Sequence, residues 1–450
     1  MTLKEAIEEI DGLRYAVDRL KIQSGAGRRL LLDSPYLTTG EEIHAELDRV
    51  EALIPLAPWP EVTSPTSRVK DIRGTIHRLA TGATLDDIEL FEIKTFALLA
   101  GEIAVAARAA GVTVVQLPLL EEVVEILDPE GNRLPRFYLH DNYSPELARL
   151  RALLKTLSPE EASSLFAERE AEEERVRASL AERLRAHHRA LAEALVAVAR
   201  LDVLLAKARL ARETGECRPL VANTVTRYEG LFHPRVREAL HARGREFQPV
   251  DIAFDRGPCL ITGANMGGKT VLLKSLAVAQ ALFQFGFHVP AARAEIVPVE
   301  GLLLSLYDGQ DEARGISSFA SEMLQLDRVV REIKGGKEAL VLMDEPARGT
   351  NPTEGVAIVN AITDLFACYR TRSLITTHYS GVRVPCRKLR IKGLDGQTGN
   401  FAPRDLSERM DYSLVEEERE RVPREATRVA EMLGVDAEII EKIKQYVSHE

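Results

Sequence analysis

A loop pattern at residues 263–270 constrains the fold of this chain more than any other feature of its sequence. The loop reads Gly-Ala-Asn-Met-Gly-Gly-Lys-Thr and fits the phosphate-binding pattern G-x-x-x-x-G-K-[ST] at every fixed position. The apolar residues 258–262 before it are typical of a strand, and the apolar residues 271–287 after it are typical of a helix. In this context backbone N–H groups at the helix start surround phosphate oxygens. We therefore predict a nucleoside triphosphate site; a glycine-rich turn without a ligand is the alternative.

Two residues of the loop have separate expected roles. Lys269 would reach the β- and γ-phosphates, and the hydroxyl of Thr270 would be a ligand of Mg²⁺. The loop residues that we predict to contact the nucleotide are Gly263, Ala264, Asn265, Met266, Gly267, Gly268, Lys269 and Thr270.

The composition is that of an ordinary globular protein. Apolar residues make up 45% and charged residues 28% of the 450 positions, which argues against disorder. The net charge of −10 lends no support to nucleic-acid binding, although a local basic face would suffice for it. Four scattered cysteines, with no C-x-x-C pair, argue against a zinc site and favour a reducing compartment.

The sequence also gives an expectation about location. Residues 1–9 are acidic and amphipathic, unlike a secretion signal. No apolar stretch approaches the roughly 18 uninterrupted residues of a membrane-spanning helix. We expect a cytoplasmic protein without a membrane partner.

The pattern of apolar and charged residues divides the chain into four parts. Within residues 1–143 the patterning is helical to about residue 110, and residues 111–143 differ, with a short strand predicted at 112–115 and a turn at 127–132. Residues 144–215 form a long, charged helical stretch. Strand and helix signals alternate over residues 216–402, which indicates an α/β domain with a mainly parallel sheet. Residues 403–450 have helical patterning again. The stripe from Leu180 to Leu205 suits either an antiparallel helical arm or an amphipathic helix that lies on a domain core.

A pair of carboxylates follows the apolar run at residues 339–343. Beside a bound nucleotide, Asp344 would hold Mg²⁺ through its water shell, and Glu345 would orient the attacking water. Taken alone, Asp-Glu after a strand is also typical of a helix N-cap. The phosphate loop upstream favours the catalytic interpretation, in which Thr270 and Asp344 form the metal site.

Two further elements carry polar groups that could contact phosphate. His378 follows residues 373–377, which we predict to form a strand, and we expect it to face the γ-phosphate. Ser317 and Ser318 precede a helical run. They could cap that helix, or they could bind phosphate, including that of a nucleotide held by another chain.

Taken together, these segments resemble the ATPase domain of the MutS family. The residues that carry the resemblance are Thr262 to Thr270 with their Asn-Met-Gly-Gly-Lys core, Gly315 to Met323, Leu342 to Thr350 and Thr376 to Tyr379. The resemblance is close over residues 216–385 and looser near residues 27–31 and 43–53. Residues 351–355 lean towards the second bacterial MutS branch.

The resemblance implies a fold and a site. It implies an ABC-type P-loop ATPase domain at residues 216–402 that binds ATP and Mg²⁺ and dimerises around two nucleotides. Residues 1–143 would be the helical core domain, 144–215 a lever whose clamp is reduced or absent, and 403–450 a helical dimerisation tail. Asn265 would join Glu345 and His378 in catalysis, and Ser317 or Ser318 would touch the partner's γ-phosphate. Phe247 could stack on adenine.

The resemblance leaves two functions open. One is a DNA-associated ATPase, a homodimer or a dimer with a related MutS-like subunit, that acts on mismatched or branched double-stranded DNA in repair. The expected lack of the clamp and of a Lys/Arg-dense stripe weighs against DNA binding. The other is an ATP-driven reactivating chaperone for a client enzyme, such as a cobalamin-dependent aminomutase, without DNA binding. A nucleotide that only stabilises the fold is disfavoured by Asp344, Glu345 and His378.

Overall fold

The chain folds into two compact units. The computed structural model describes residues 1–134, 136–156, 163–263, 267–306, 318–394, 410–417, 427, 430–431 and 434–447. One unit, here called the sheet unit, comprises residues 1–19, 35–47 and 214–450, and the other, the helical unit, comprises residues 20–34 and 48–213. The three boundaries between the four parts that we predicted from the sequence stay a prediction.

Helices are present in both units. In chain order their bounds are α1 Leu3–Glu9, α2 Leu13–Asp18, α3 Gly25–Leu32, α4 Gly40–Leu53, α5 Pro60–Thr66, α6 Arg73–Ala80, α7 Asp87–Ala109, α8 Glu121–Leu127, α9 Pro145–Leu154, α10 Ser163–Arg185, α11 His188–Thr214, α12 Pro234–His241, α13 Lys269–Gln284, α14 Ser318–Lys334, α15 Pro352–Cys368 and α16 Ala437–Val447. Within the described ranges, no helix combines the length and the apolar character that crossing a bilayer requires.

The strands belong to the sheet unit. Their bounds are β1 Leu220–Val221, β2 Thr226–Leu231, β3 Val250–Phe254, β4 Pro258–Thr262, β5 Arg293–Ile296, β6 Gly301–Ser305, β7 Ala339–Met343, β8 Arg372–Thr376, β9 Arg387–Leu394 and β10 Met410–Glu416.

The helical unit is built around α7 and α11. A capping box between Asp86 and Glu89 starts α7, because each side chain bonds the backbone N–H of the other residue. Ile93, Phe96 and Ile103 of α7 are buried in one core that also contains the stripe from Leu180 to Leu205. The second half of α11 is buried on all sides, including Asp202. This stripe therefore lies on a domain core, as in the second of the two alternatives.

The sheet unit contains a six-stranded sheet in the order β10-β9-β4-β8-β7-β6. The pairings from β9 to β6 are all parallel, and β10 pairs antiparallel with β9. The prediction of a mainly parallel sheet is confirmed. A second sheet, in the order β1-β5-β2-β3, has three described pairings, of which two are antiparallel.

The prediction of helix throughout residues 403–450 is wrong for residues 410–416. These residues form β10, and Met410 of β10 is buried against the rest of the unit. The strand gains its stability from pairing with β9, a non-local contact that helical periodicity in the sequence cannot reveal. Helix α16 follows later in the same segment.

Helices cover both faces of the six-stranded sheet. Every residue of β7 is buried, as is typical of a parallel strand that is covered on both sides. Val341 and Met343 pack on one face with Val329 of α14 and Phe366 of α15. Successive strand residues point to opposite faces, and α13 packs against β6, β7 and β8. Because the strands from β9 to β6 run parallel, their carboxyl ends lie at one edge of the sheet.

A buried ion pair in the helical unit gives a stability prediction. Lys94 of α7 and Asp128 after α8 lie 2.9 Å apart, and both side chains are 2% exposed. Burial raises the pKa of Asp128, but the bonds from Lys94 and the N–H of Arg133 outweigh it, so that the net pKa is lowered. We expect Lys94→Met to lower the free energy of unfolding by about 3–5 kcal/mol, because Asp128 would be left as an unpaired buried charge.

Tryptophan fluorescence during urea titration measures this effect. The chain's one tryptophan, Trp59, is buried in the core of the same unit and reports its unfolding. The double variant Lys94→Met/Asp128→Leu is the control, since it removes both charges and should recover most of the loss. A double variant as unstable as the single variant would contradict the assignment.

Candidate functional site

The candidate site lies at the carboxyl ends of β4, β7 and β8, the edge where open parallel sheets bind ligands. Gly263 follows β4 with φ +138°, and Gly268 precedes α13 with φ +77°, values that disfavour a side chain. A Cβ atom on Gly268 would lie 3.1 Å from the ring of Tyr412. The loop thus approaches its neighbours closely. Of its predicted contact residues, Ala264, Asn265 and Met266 lie outside the described part of the chain.

Lys269 is the first residue of α13, and its side chain is buried. Its Nζ donates to the carbonyl oxygen of Gly263 at 2.7 Å and lies 3.2 Å from Oε1 of Glu345. The ammonium therefore joins the loop after β4 to the carboxylate after β7. The ammonium of Lys269 can also donate hydrogen bonds to phosphate oxygens in place of Glu345.

Asp344 receives hydrogen bonds from two hydroxyl groups. Thr270 Oγ1 donates to Oδ2 at 2.7 Å, and Thr376 Oγ1 donates to Oδ1 at 2.6 Å. A hydroxyl and a carboxylate in contact form an oxygen-only donor set, which is what Mg²⁺ prefers. Mg²⁺ usually takes one or two carboxylates and keeps several waters. The residues present therefore fit the predicted metal site. Among the described residues, no group of three or more His, Cys, Asp or Glu side chains is placed so that it could hold a metal ion by itself.

Glu345 sits in a left-handed backbone conformation, with φ +44°. This conformation is costly for a residue with a side chain, and it persists only where neighbours hold it. The N–H of Glu345 donates to Thr376 Oγ1 at 2.9 Å. Its carboxylate lies 3.5 Å from Nδ1 of His378 and 3.9 Å from Nε of Arg348. The structure thus brings together the predicted residues Lys269, Glu345 and His378.

The serines after residue 315 are only partly described. Ser317 lies outside the described residues, and Ser318 begins α14 without a described side chain. Their predicted roles stay predictions.

Phe247 lines a cavity of about 540 Å³ beside Gly267 and Gly268. The other residues that line it include Gln248, Val271, Leu272 and Tyr412. The cavity begins where the loop meets α13, so it could accept the base and sugar of a nucleotide whose phosphates lie on the loop. The predicted position of Phe247 near the loop agrees with this arrangement.

The sequence analysis missed two residues of this site. Thr376 bridges Asp344 and Glu345, and a hydroxyl that follows two apolar residues at the end of the strand is the available signal. Tyr412 lies in β10, within a segment for which the sequence pattern predicts a helix. The backbone N–H of Tyr412 donates to Gln248 Oε1 at 3.0 Å, across 164 positions of sequence. Only the folded structure reveals this contact between Tyr412 and Gln248.

Comparisons with known proteins give one matching family model and several relatives. The family model described as MutS domain V matches residues 259–449. The DNA mismatch repair protein MutS of Granulibacter bethesdensis is 35% identical over 205 residues, which are 45% of this chain and 22% of that protein. MutS of Thermus thermophilus is 35% identical over 234 residues, 52% of this chain and 26% of the relative.

A second group of relatives extends the match. The endonuclease MutS2 of Caldanaerobacter subterraneus is 30% identical over 281 residues, 62% of this chain and 34% of the relative. The chain spans between about a fifth and a third of the length of these relatives. The fold is α/β, and residues 259–449 match MutS domain V. The chain is similar to proteins of the MutS family over these matched parts.

The role of Thr376 gives the next prediction. Thr376→Val keeps the shape of the side chain but leaves Asp344 and the N–H of Glu345 without this partner. Losing such a buried bond costs about 1–3 kcal/mol, so we expect the amides of residues 344–350 to exchange with deuterium at least roughly tenfold faster. Hydrogen exchange with mass spectrometry measures this. Thr371→Val, just before β8, is the matched control; equal exchange in both variants would contradict the bridging role.

Proposed function

We propose that this chain binds ATP with Mg²⁺ and hydrolyses it to ADP and phosphate. The observation that carries the proposal is the convergence of Lys269, Thr270, Asp344, Glu345 and His378 at one edge of the sheet. Each has the chemistry that phosphoryl transfer to water needs: a cation for phosphates, oxygen ligands for a metal, and a carboxylate for water. The ABC-type P-loop arrangement is part of this proposal.

The nucleotide lies along the start of α13. Lys269 and the loop N–H groups hold the phosphates, while the base enters the cavity lined by Phe247 and Tyr412. Both rings line the cavity and are available for stacking on adenine.

Each polar group then has one task in the reaction. Mg²⁺, when bound by Thr270 and Asp344, supplies positive charge that offsets the charge on the phosphates. Glu345 orients the attacking water, and His378 contacts the γ-phosphate region next to it. Asn265 is assigned to the same water on the resemblance alone.

The proposal includes a dimer, formed with a second copy or with a related MutS-like subunit. Ser317 and Ser318 of one subunit would complete the site of the other, and the loop at Arg348 to Thr350 would cross the interface. Arg348 is exposed, as this role requires. Helix α16 presents Ile439 and Tyr446 on its surface, so the tail also has apolar side chains for a partner.

Glu345→Gln tests the catalytic assignment. Because the amide cannot act on the water as a carboxylate does, we expect ATP turnover to fall by about 10²- to 10⁴-fold, while ATP binding is retained. Phosphate release and fluorescent-nucleotide titration measure the two quantities. Size-exclusion chromatography with ATP should show the trapped variant at twice the mass of one chain.

Two further variants separate binding from chemistry. Lys269→Ala should lose ATP binding itself, because it removes the cation that holds the phosphates. Glu332→Gln in α14 is the control and should leave both quantities unchanged. An unchanged rate in Glu345→Gln would refute the role of Glu345.

We further propose that the ATPase acts in DNA repair. The support is the similarity to two kinds of relative, the DNA mismatch repair protein MutS and the endonuclease MutS2. The finer role, a switch that closes on mismatched or branched duplexes, comes from the resemblance. The alternative, remodelling of a client enzyme, uses the same ATPase.

A gel-shift titration distinguishes these roles. At low salt with ATP present, we expect the chain to retard mismatched or branched duplexes, and we expect the shift to weaken as salt increases, because phosphate contacts release counterions. Perfect duplex of the same length is the matched control. No retardation of any duplex by a chain that hydrolyses ATP would contradict the DNA role and leave the remodelling of a protein.

A further inference from the structure

The peptide at Ala347 is held from both sides. Its N–H donates to the carboxylate of Glu322, and its carbonyl oxygen accepts a hydrogen bond from the hydroxyl of Tyr379 at 2.8 Å. Ala347 is fully buried and has φ +67°. We call Glu322, Ala347 and Tyr379 the Ala347 anchor. The same carbonyl oxygen also accepts a hydrogen bond from the N–H of Thr350 at 3.2 Å. A left-handed alanine costs about 1–2 kcal/mol, and the bonds to Glu322 and Tyr379 help to hold it from outside the loop.

The anchor joins three separate elements. Glu322 comes from α14, Ala347 from the loop after β7, and Tyr379 from the segment after β8. The same loop carries Glu345, two residues before Ala347, and Arg348, one residue after it. Because both Glu345 and Ala347 have left-handed backbones, a change at Ala347 would redirect the peptide that carries Glu345.

Tyr379 is itself fixed by its surroundings. Its ring lies against α15 at Gly355, where a Cβ atom would come within 2.4 Å of the ring. Its N–H donates to Thr377 Oγ1 at 3.1 Å, and its ring centroid lies 4.3 Å from that of His378. Only glycine at position 355 leaves room for this ring. The hydroxyl is thus aimed at Ala347 by a packed aromatic ring.

Glu322 is fixed in a comparable way. One turn further along α14, Gln325 Nε2 donates to the carbonyl oxygen of Leu304 in β6 at 2.7 Å. Residues three apart lie on the same face of a helix, so Gln325 ties the face that carries Glu322 to the sheet. Burial raises the pKa of Glu322, and the N–H of Ala347 acts in the opposite direction. Helix α14 therefore holds its carboxylate against the loop.

We propose that Glu322 and Tyr379 are positioning residues for hydrolysis, which act through Ala347 to set the orientation of Glu345 and Arg348. This inference rests on the proposed ATPase function. The two side chains bond the backbone of the loop, and neither belongs to the loop at residues 263–270 that holds the phosphates. Their loss should therefore reduce turnover and leave nucleotide binding nearly intact.

Three variants test the anchor. Tyr379→Phe removes the hydroxyl but keeps the ring at Gly355, and Glu322→Ala removes the carboxylate. We expect the kcat of each for ATP to fall about 10- to 100-fold, the range that small misplacements of a catalytic group produce, with the Kd for ATP within about threefold of wild type. Glu322→Gln keeps an acceptor oxygen and should recover most of the rate.

Two matched controls and a structural readout accompany these variants. Tyr369→Phe alters an exposed tyrosine at the end of α15, and Glu332→Ala alters a half-buried glutamate of α14 that pairs with Lys337; both should keep the wild-type rate. Trypsin cleavage after Arg348, which is exposed, reports how firmly the loop is held. We expect cleavage there to be several-fold faster in Tyr379→Phe and Glu322→Ala.

The outcomes separate the anchor from the ATPase proposal. If wild type hydrolyses ATP and Tyr379→Phe and Glu322→Ala do so at the same rate, the positioning role is wrong and the ATPase proposal stands. Equal losses of kcat and of ATP binding would also overturn it, because they would indicate general damage. A wild-type chain that binds ATP without hydrolysing it would overturn the proposed function and, with it, the positioning role.

Discussion

The parallel register of β4, β8 and β7 is the constraint on which the site depends. Ile261 of β4 pairs with Thr376 of β8, and Met343 of β7 pairs with Ile375 of β8. Because the strands run in the same direction, the residues that follow these pairs emerge at one edge of the sheet. Thr270 and Asp344 therefore meet although 74 positions separate them in sequence. A slip of one residue in β8 would turn the hydroxyl of Thr376 to the other face.

The two adjacent carboxylates at this edge have different partners. Asp344 receives hydrogen bonds from the hydroxyls of Thr270 and Thr376, and among the described residues no cationic side chain forms an ion pair with it. Glu345 instead lies beside Lys269, His378 and Arg348. A carboxylate that hydroxyls orient keeps its negative charge available for a divalent cation. The cationic side chains around Glu345 can also donate hydrogen bonds to phosphate oxygens.

The parts of this site that are local in sequence can be predicted, and the contacts between positions far apart in sequence cannot. The loop at residues 263–270 and the pair Asp344-Glu345 are local patterns with a required chemistry, so their positions follow from the sequence. The roles of Thr376 and Tyr412 depend on pairing between distant strands, which periodicity does not encode. The same reason explains the misassigned β10, whose stability comes from β9. The Ala347 anchor likewise joins three separate elements. In sequence, Glu322 lies 25 positions from Ala347, and Tyr379 lies 32 positions from it.

The ion pair of Lys269 with Glu345 links nucleotide binding to catalysis in the proposed mechanism. The ammonium lies 3.2 Å from Glu345 and also bonds the carbonyl oxygen of Gly263. Phosphate oxygens compete with Glu345 for this buried cation, and charge-assisted bonds of this kind are stronger than neutral ones. When phosphates take the ammonium, the carboxylate of Glu345 is released toward water, while the Ala347 anchor and Thr376 still hold its backbone. The cation that binds the substrate is thus the group that frees the carboxylate, which confines that carboxylate's activity to a site that contains phosphate.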